Sequence, residues 1–352
     1  MPAMYSRKTI ATPPGATIKE QLEDRGMTQK EFAQRMDMSE KHISRLINGE
    51  VHLTPDVALR LEHVLGLPAQ FWNNLEARYR EKLARVEAEN TMDADIELAR
   101  KIPYAEMVAH GWVPKANSAA DKVNYLRRYF EVARLGTIEQ VLIPGIAYRR
   151  TTVKDSSIYA LAVWVQRARS LAVDHDTAPI NLARLQELIP EFRRMTLQTQ
   201  EKFYPVLVRN LSDCGIALVL LPHMERSFLQ GATFYDGKKI VMGLTLRGRD
   251  ADRFWFSLFH EIAHVVKGHI GNKDGLSEAE EKEADRYAAD ILIPPADYND
   301  FVREKAFTEM SVRQFAQRIE VAPGIIVGRL QKDRYIEFSY LNGLKLQYTF
   351  PE

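Results

Sequence analysis

His260-Glu261-Ile262-Ala263-His264 sets two imidazoles four residues apart with a carboxylate beside the first. On an α-helix residues i and i+4 lie one above the other, so both rings can reach one metal ion while Glu261 projects next to it. A hydrolytic zinc site takes three protein ligands and keeps a fourth position for water, whose pKa falls toward neutrality on binding. Two neutral histidines and one carboxylate meet that demand, with Glu261 as the general base. The carboxylate is expected from a second helix, in Glu281-Lys282-Glu283-Ala284-Asp285. Glu281 and Asp285 share a helix face, so Glu281 can bind zinc while Asp285 accepts a hydrogen bond from a ligand imidazole. Glu283 lies on the other side of that helix and is the alternative third ligand. His269, after Gly268, reads as a residue at the helix C-terminus. The longer pattern with a third histidine would need one at position 270, which is Ile270.

These side chains need rigid elements to hold them. Phe254, Trp255, Leu258, Phe259, Ile262 and Val266 make the HExxH helix apolar along most of its surface. Histidines in a helix that is mostly buried require partners, and a metal also accounts for Glu261. Ala284, Tyr287, Ala288, Ile291 and Leu292 recur at helical spacing in the second helix, which Pro294-Pro295 closes. Upstream, the apolar run from Gly215 to Leu221, ended by Pro222, predicts a buried strand, with Cys214 filling core there. Gly231 to Tyr235 and Lys239 to Leu246 flank Asp236-Gly237 as a hairpin. A small sheet ahead of the HExxH helix suits peptide cleavage, because an edge strand can hold an extended substrate by backbone hydrogen bonds.

HEIAHVVKGH followed by EEKEADRYAADILIPP resembles the ImmA/IrrE family of gluzincin-like metallopeptidases. The likeness covers residues from about 205 to 330. It implies zinc at His260, His264 and an acidic residue of the second helix, with Glu261 as general base, and a repressor protein as a common kind of substrate.

The first ninety residues carry a separate signal. Thr17 to Arg25 reads as a helix stopped by Gly26; Thr28 caps a second helix through Met36, with Glu31 three residues on; Ser39 caps a third, ended by Asn48-Gly49. Helix, tight turn, helix is an arrangement in which the second element enters the DNA major groove. Thr54-Pro55-Asp56 opens a fourth helix and Leu67-Pro68-Ala69 a fifth. Ile18, Leu22, Phe32, Ala33, Ile43, Leu46, Val57, Ala58 and Leu61 take inward positions. On the third helix Lys41 and Arg45 lie four apart, with His42 and Ser44 also outward, and Gln29 opens the second helix. Gln29, Ser39, Lys41, His42, Ser44 and Arg45 are therefore the candidate DNA contacts, to phosphates or base edges. Residues 6 to 60 carry nine Lys or Arg against eight Asp or Glu, so phosphate affinity must come from local placement. A helical bundle that binds only protein is the competing reading.

The run MTQKEFAQRMDMSEKHISRLINGEVHLTPDVALRLEHVLGLPAQFWNNLEARY resembles XRE-type helix-turn-helix regulators, and more narrowly HigA-type antitoxins. The likeness implies a five-helix lambda-repressor-like domain, operator binding as a homodimer on a palindrome, repression of the protein's own promoter, and a small ribonuclease toxin as partner.

Between the two motifs, residues 73 to 90 predict a charged connector helix. Apolar periodicity returns at Tyr104 to His110, Ala119 to Phe130 and Tyr159 to Leu171, which suggests a helical middle region; Pro179-Ile180 and Pro190 are expected to break its later helices. A helix around Met310 to Ala316 superficially resembles a second DNA-reading unit and is expected to serve packing. The expected organisation is mainly α with a small sheet (α+β): 1–90 the DNA-binding domain with its connector, 91–204 the helical middle region, 205–352 the metallopeptidase-like domain.

At 352 residues the chain has room for this layout. A net charge of +1 does not by itself advertise a nucleic-acid partner, and one cysteine excludes an internal disulfide and any cysteine-based zinc finger. No transmembrane run is visible, and the N-terminus lacks the apolar core of a secretory signal, so a cytoplasmic protein is expected. Two function classes follow. In one, a DNA-binding regulator carries a working zinc peptidase acting on itself or on a partner; in the other, the zinc domain of an antitoxin-like repressor senses or scaffolds without turnover.

Overall fold

The computed structural model describes residues 4–5, 10–142, 155–224, 231–245, 250–271 and 275–349. It is mostly helical with a small mixed sheet, and divides into two compact units, 1–97 and 98–352. From residue 98 onward, the segments expected as a middle region and as the HExxH-bearing part lie in one unit.

The first unit opens with β1 (Met4–Tyr5) paired antiparallel to β2 (Ile10–Ala11). Four short helices follow: α1 (Gly15–Asp24), α2 (Gln29–Arg35), α3 (Glu40–Ile47) and α4 (Pro55–Leu65). Three of them start on a side-chain cap. Thr28 accepts from the Glu31 N–H, Ser39 from that of His42 and Thr54 from that of Val57, each satisfying a backbone donor that the first helical turn leaves unpaired. Ile18, Leu22, Phe32, Ala33, Ile43, Leu46, Val57, Ala58 and Leu61 lie in the core, as the helical spacing predicts, and Trp72 joins them. Arg60 on α4 donates to the carbonyls of Met36 and Asp37 at 3.0 and 3.3 Å, tying down the turn between α2 and α3.

The fifth helix and the connector are one element. α5 runs from Ala69 to Lys101 without interruption. Nothing between Ala69 and Ile102 breaks a helix, since the first proline is Pro103 and there is no glycine. Its Glu76 and Arg80, four apart, pair at 2.7 Å.

The second unit begins with α6 (Tyr104–Ala109), α7 (Ala119–Phe130), α8 (Ile138–Val141), α9 (Asp155–Ala172), α10 (Leu182–Arg194) and α11 (Gln200–Ser212). Pro190 does not break the chain here. It lies inside α10, where Leu185, Leu188 and Phe192 are buried along one face. A proline in a helix interior costs about 3 kcal/mol, and burying three large apolar side chains at about 1.5–3 kcal/mol each outweighs it. Pro205 is carried within α11 in the same way, beside buried Phe203 and Leu207.

The sheet has the order β3 (Ile216–Leu221), β5 (Lys239–Thr245), β4 (Gly231–Asp236), with β3 parallel and β4 antiparallel to β5. Gly237 and Lys238 form the hairpin turn, one residue later than the expected Asp236-Gly237; Leu246, expected to end β5, lies outside the described residues. Cys214 is buried in the turn before β3 rather than in the strand. Then follow α12 (Ala251–Val266), α13 (Glu278–Leu292), α14 (Pro295–Arg303), α15 (Glu309–Arg318) and α16 (Pro323–Lys332). The core of this unit gathers Phe254, Trp255, Leu258, Phe259 and Ile262 of α12 with Leu218 of β3, Met242 of β5, Ala288 of α13 and Ile326 of α16. α15 buries Val312, Phe315 and Ala316 and so is a packing helix.

The C-terminal segment clamps α12. Trp255 donates from Nε1 to the Tyr348 hydroxyl at 2.7 Å, both side chains being buried, and Asp252 pairs with Lys345 at 2.9 Å. Burial pushes the Tyr348 phenol up to about 12. Trp255→Phe leaves that buried hydroxyl without its donor, so unfolding by urea, followed by circular dichroism, should show a stability loss of about 1–3 kcal/mol.

Candidate functional site

α12 buries its apolar face in the core and turns His260, Glu261 and His264 toward α13 and β4. His260 Nε2 and His264 Nε2 are 3.0 Å apart, and Glu281 of α13 brings its two carboxylate oxygens to 3.6 Å from the first and 3.9 Å from the second. The ligand atoms of these three side chains lie within 4.8 Å of one another. Zinc bonds of about 2.0–2.1 Å in tetrahedral geometry put neighbouring ligand atoms roughly 3.3 Å apart, and the observed separations fall around that value. Two imidazole nitrogens and a carboxylate facing one another are a donor set that a divalent cation completes. The residues present therefore fit zinc.

The surroundings set the protonation of each ring. Asp285 Oδ1 accepts from His260 Nδ1 at 3.0 Å, which leaves the Nε2 lone pair directed at the shared point. Burial pulls the His260 pKa down, but the hydrogen bond to Asp285 and the charges of Glu261, Glu281 and Asp285 more than offset it, and the net shift is upward. Burial, with His260 and His269 adding to it, drives His264 down to about 3, so this imidazole stays neutral, the form a metal requires. Glu261 is buried, and that burial pushes its carboxyl up to about 7 against the opposing influence of His260 and of the Thr233 hydroxyl, which donates to Oε2 at 2.5 Å.

Glu261 is also held from the sheet side. A Cβ on Gly231, the first residue of β4, would stand only 2.6 Å from Glu261 Oε1, so the strand approaches the carboxylate this closely only because the residue is glycine. Neither Thr233 nor Gly231 stands out in the sequence, because both meet Glu261 only through packing of β4 on α12.

Glu281, not Glu283, faces the two histidines. Glu283 instead accepts from Lys267 at 2.9 Å and stands 3.5 Å from His269 Nε2; the Lys267 hydrogen bond and charge hold its carboxyl below the usual range. His269 follows the helix end as expected, but its side chain is buried, with Nδ1 3.1 Å from His264 Nδ1. Gly268, at φ +73°, reverses the chain and folds His269 back so that its N–H donates to the His264 carbonyl at 2.9 Å.

In the first unit, Gln29, Ser39, Lys41 and Arg45 are exposed, and His42 and Ser44 half-exposed. Lys41 and Arg45 stand on the open side of α3, and Arg45 Nε lies 3.6 Å from Glu50. The Ser39 hydroxyl accepts from the His42 N–H and so also caps α3. Among the described residues, no helix is long and apolar enough to cross a membrane.

Comparison with known proteins concerns the first unit. The helix-turn-helix family profile matches residues 18–72. A helix-turn-helix-type transcriptional regulator of Escherichia coli K12, YddM, is 36% identical over 80 residues, which are 23% of this chain and 81% of that protein. Antitoxin HigA-1 of Vibrio cholerae is 41% identical over 73 residues, 20% of this chain and 69% of its own length. A solved addiction-module antidote protein of the HigA family from Coxiella burnetii shares 26% identity, covering 24% of this chain and 94% of that one, with a TM-score of 0.22. Through its N-terminal unit, the chain belongs to the helix-turn-helix family of transcriptional regulators.

Proposed function

We propose that this regulator is an antitoxin-like repressor whose second unit is a zinc-dependent peptidase, hydrolysing a peptide bond in the chain itself or in a partner protein. Its N-terminal part is a DNA-binding helix-turn-helix domain with antitoxin-like relatives. The peptidase reading rests on one observation: His260, His264 and Glu281 bring three donor atoms together, and the buried carboxylate of Glu261, next in the chain to His260, feels the charges of His260 and Glu281.

A divalent cation held by those three side chains would supply the Lewis acidity that makes water a nucleophile near neutral pH. Thr233 holds Glu261 Oε2 and so fixes the carboxylate that takes the proton from the attacking water and passes it to the leaving amine. Burial raises the Glu261 carboxyl in the metal-free protein, the direction that suits a group that must both take and release a proton. Asp285 keeps the His260 proton on Nδ1 and so fixes that ring's orientation. β4 is the outer strand of the sheet next to Glu261, and its outer edge suits an extended peptide bound by backbone hydrogen bonds. Glu261 adds nothing to a domain that merely senses or scaffolds, since it is not among the converging donors, and its burial is a standing cost.

For the first unit we propose operator binding as a homodimer with α3 in the major groove, Lys41 and Arg45 meeting phosphates or guanine edges and Gln29 contacting the duplex from α2. The antitoxin relative suggests a toxin as partner, and the ribonuclease-type toxin belongs to that proposal.

Two experiments test these readings. The zinc-loaded full chain and Glu261→Gln are incubated alone and with a quenched-fluorescent peptide library, fragments being read by mass spectrometry. Glu261→Gln should keep its zinc and lose cleavage by about 10²–10⁴-fold; wild-type protein that holds zinc yet cleaves neither itself nor any peptide would establish the scaffold reading instead. For DNA, fluorescence anisotropy with a duplex from upstream of the protein's own reading frame should show Lys41→Ala and Arg45→Ala each weakening binding by about tenfold and lowering the salt slope by about one per lost phosphate contact. Unchanged binding by the double variant would remove α3 from the interface.

A further inference from the structure

Outside the three converging donors, one chain of contacts has no part in the chemistry above. It runs from Lys267 to Glu283 to His269 to His264. Lys267 Nζ holds Glu283 Oε1 at 2.9 Å, Glu283 Oε2 stands 3.5 Å from His269 Nε2, and His269 Nδ1 stands 3.1 Å from His264 Nδ1. His264 is 1% exposed and His269 8%, so water does not compete at the contact between the two rings.

Imidazoles facing each other through Nδ1 pair by one proton between those nitrogens, and its position decides what His264 can do. If the proton belongs to His269, His264 must carry its own on Nε2 and has no lone pair for a metal. If it belongs to His264, the Nε2 lone pair points at His260 and Glu281. The Glu283 carboxylate, anchored by Lys267, attracts a proton to His269 Nε2 and thereby makes His269 Nδ1 an acceptor. That arrangement gives His264 the Nδ1–H tautomer. On the other ring, Asp285 acts directly on His260.

We propose that His269 and Glu283 are positioning residues that set the tautomer of His264, a carboxylate–imidazole relay behind the second histidine of the centre. The inference rests on the metal-centre reading and extends it to two side chains outside the donor set. It also explains why a histidine beyond the end of α12 is buried, and why Glu283 has partners apart from those of Glu281 and Asp285.

The test uses the full-length protein. Zinc dissociation constants are measured by competition with a chromophoric chelator for wild type, His269→Phe and His269→Asn. The Asn side-chain oxygen can stand where His269 Nδ1 does and accept from His264, whereas Phe fills the space and accepts nothing. Losing the outer partner of a metal-bound imidazole costs about 10–100-fold in affinity, so His269→Phe should weaken zinc by that factor and His269→Asn should stay within about threefold of wild type. Independently, ¹⁵N-histidine spectra of the zinc-free wild type should place the His269 proton on Nε2, and Glu283→Ala should move population to Nδ1. Equal affinities for wild type and His269→Phe, equal losses for Phe and Asn, or a His269 proton on Nδ1 in the wild type would each overturn the relay. Wild-type protein that takes up no zinc would overturn the metal centre, and the His269 tautomer would still decide whether the relay exists.

Discussion

An ionisable group taken out of water must find a partner or lose its charge, and the second unit is organised around that requirement. α12 is among the most apolar segments of the chain, and its Phe254, Trp255, Leu258, Phe259 and Ile262 drive it into the core. Burying that face also takes His260, Glu261 and His264 from solvent to a large degree. Each is then answered by a different element. Asp285 and Glu281 come from α13, Thr233 from β4, and His269 from the turn after α12 itself. The same requirement shapes the other end of the helix, where Asp252 meets Lys345 and Trp255 meets Tyr348. The hydrophobic effect supplies the energy, and the polar partners select which packing of these helices is acceptable.

The first unit follows a simpler logic. Its first four helices are short, about two to three turns, a length at which isolated helices are marginal in water. They persist because each buries a few large side chains in a common core and because Thr28, Ser39 and Thr54 cap three of them. Arg60 pins the turn that orients α3 against α2. Lys41 and Arg45 are left on the open side of α3, so a domain with almost no net charge still presents two cations together.

Much of this was legible in the residues. The i, i+4 histidines, the Glu281–Asp285 pair on one helix face and the three helix caps depend on local periodicity, and the structure places them where that periodicity indicates. Other features were not legible, for physical reasons specific to each. Pro190 signals a break, yet the apolar face around it outweighs the local penalty. The long α5 joins what reads as a domain-closing helix and a connector, because nothing in the sequence marks where a helix stops when no breaker is present. His269 occupies the expected place after α12, but its side chain turns inward because Gly268 reverses the chain, and a one-dimensional pattern does not specify that direction.

The sequence by itself determined the donor types, their spacing along α12 and α13, and the helix-turn-helix with its caps, since all of these act within a few residues of chain. Only the tertiary structure decided which carboxylate faces the two histidines, which hydroxyl holds Glu261, and which imidazole stands behind His264. Those choices arise where α12 meets β4, α13 and its own returning end. The partners there are separated by up to 28 residues of sequence, and close packing, not local propensity, brings them within hydrogen-bonding distance.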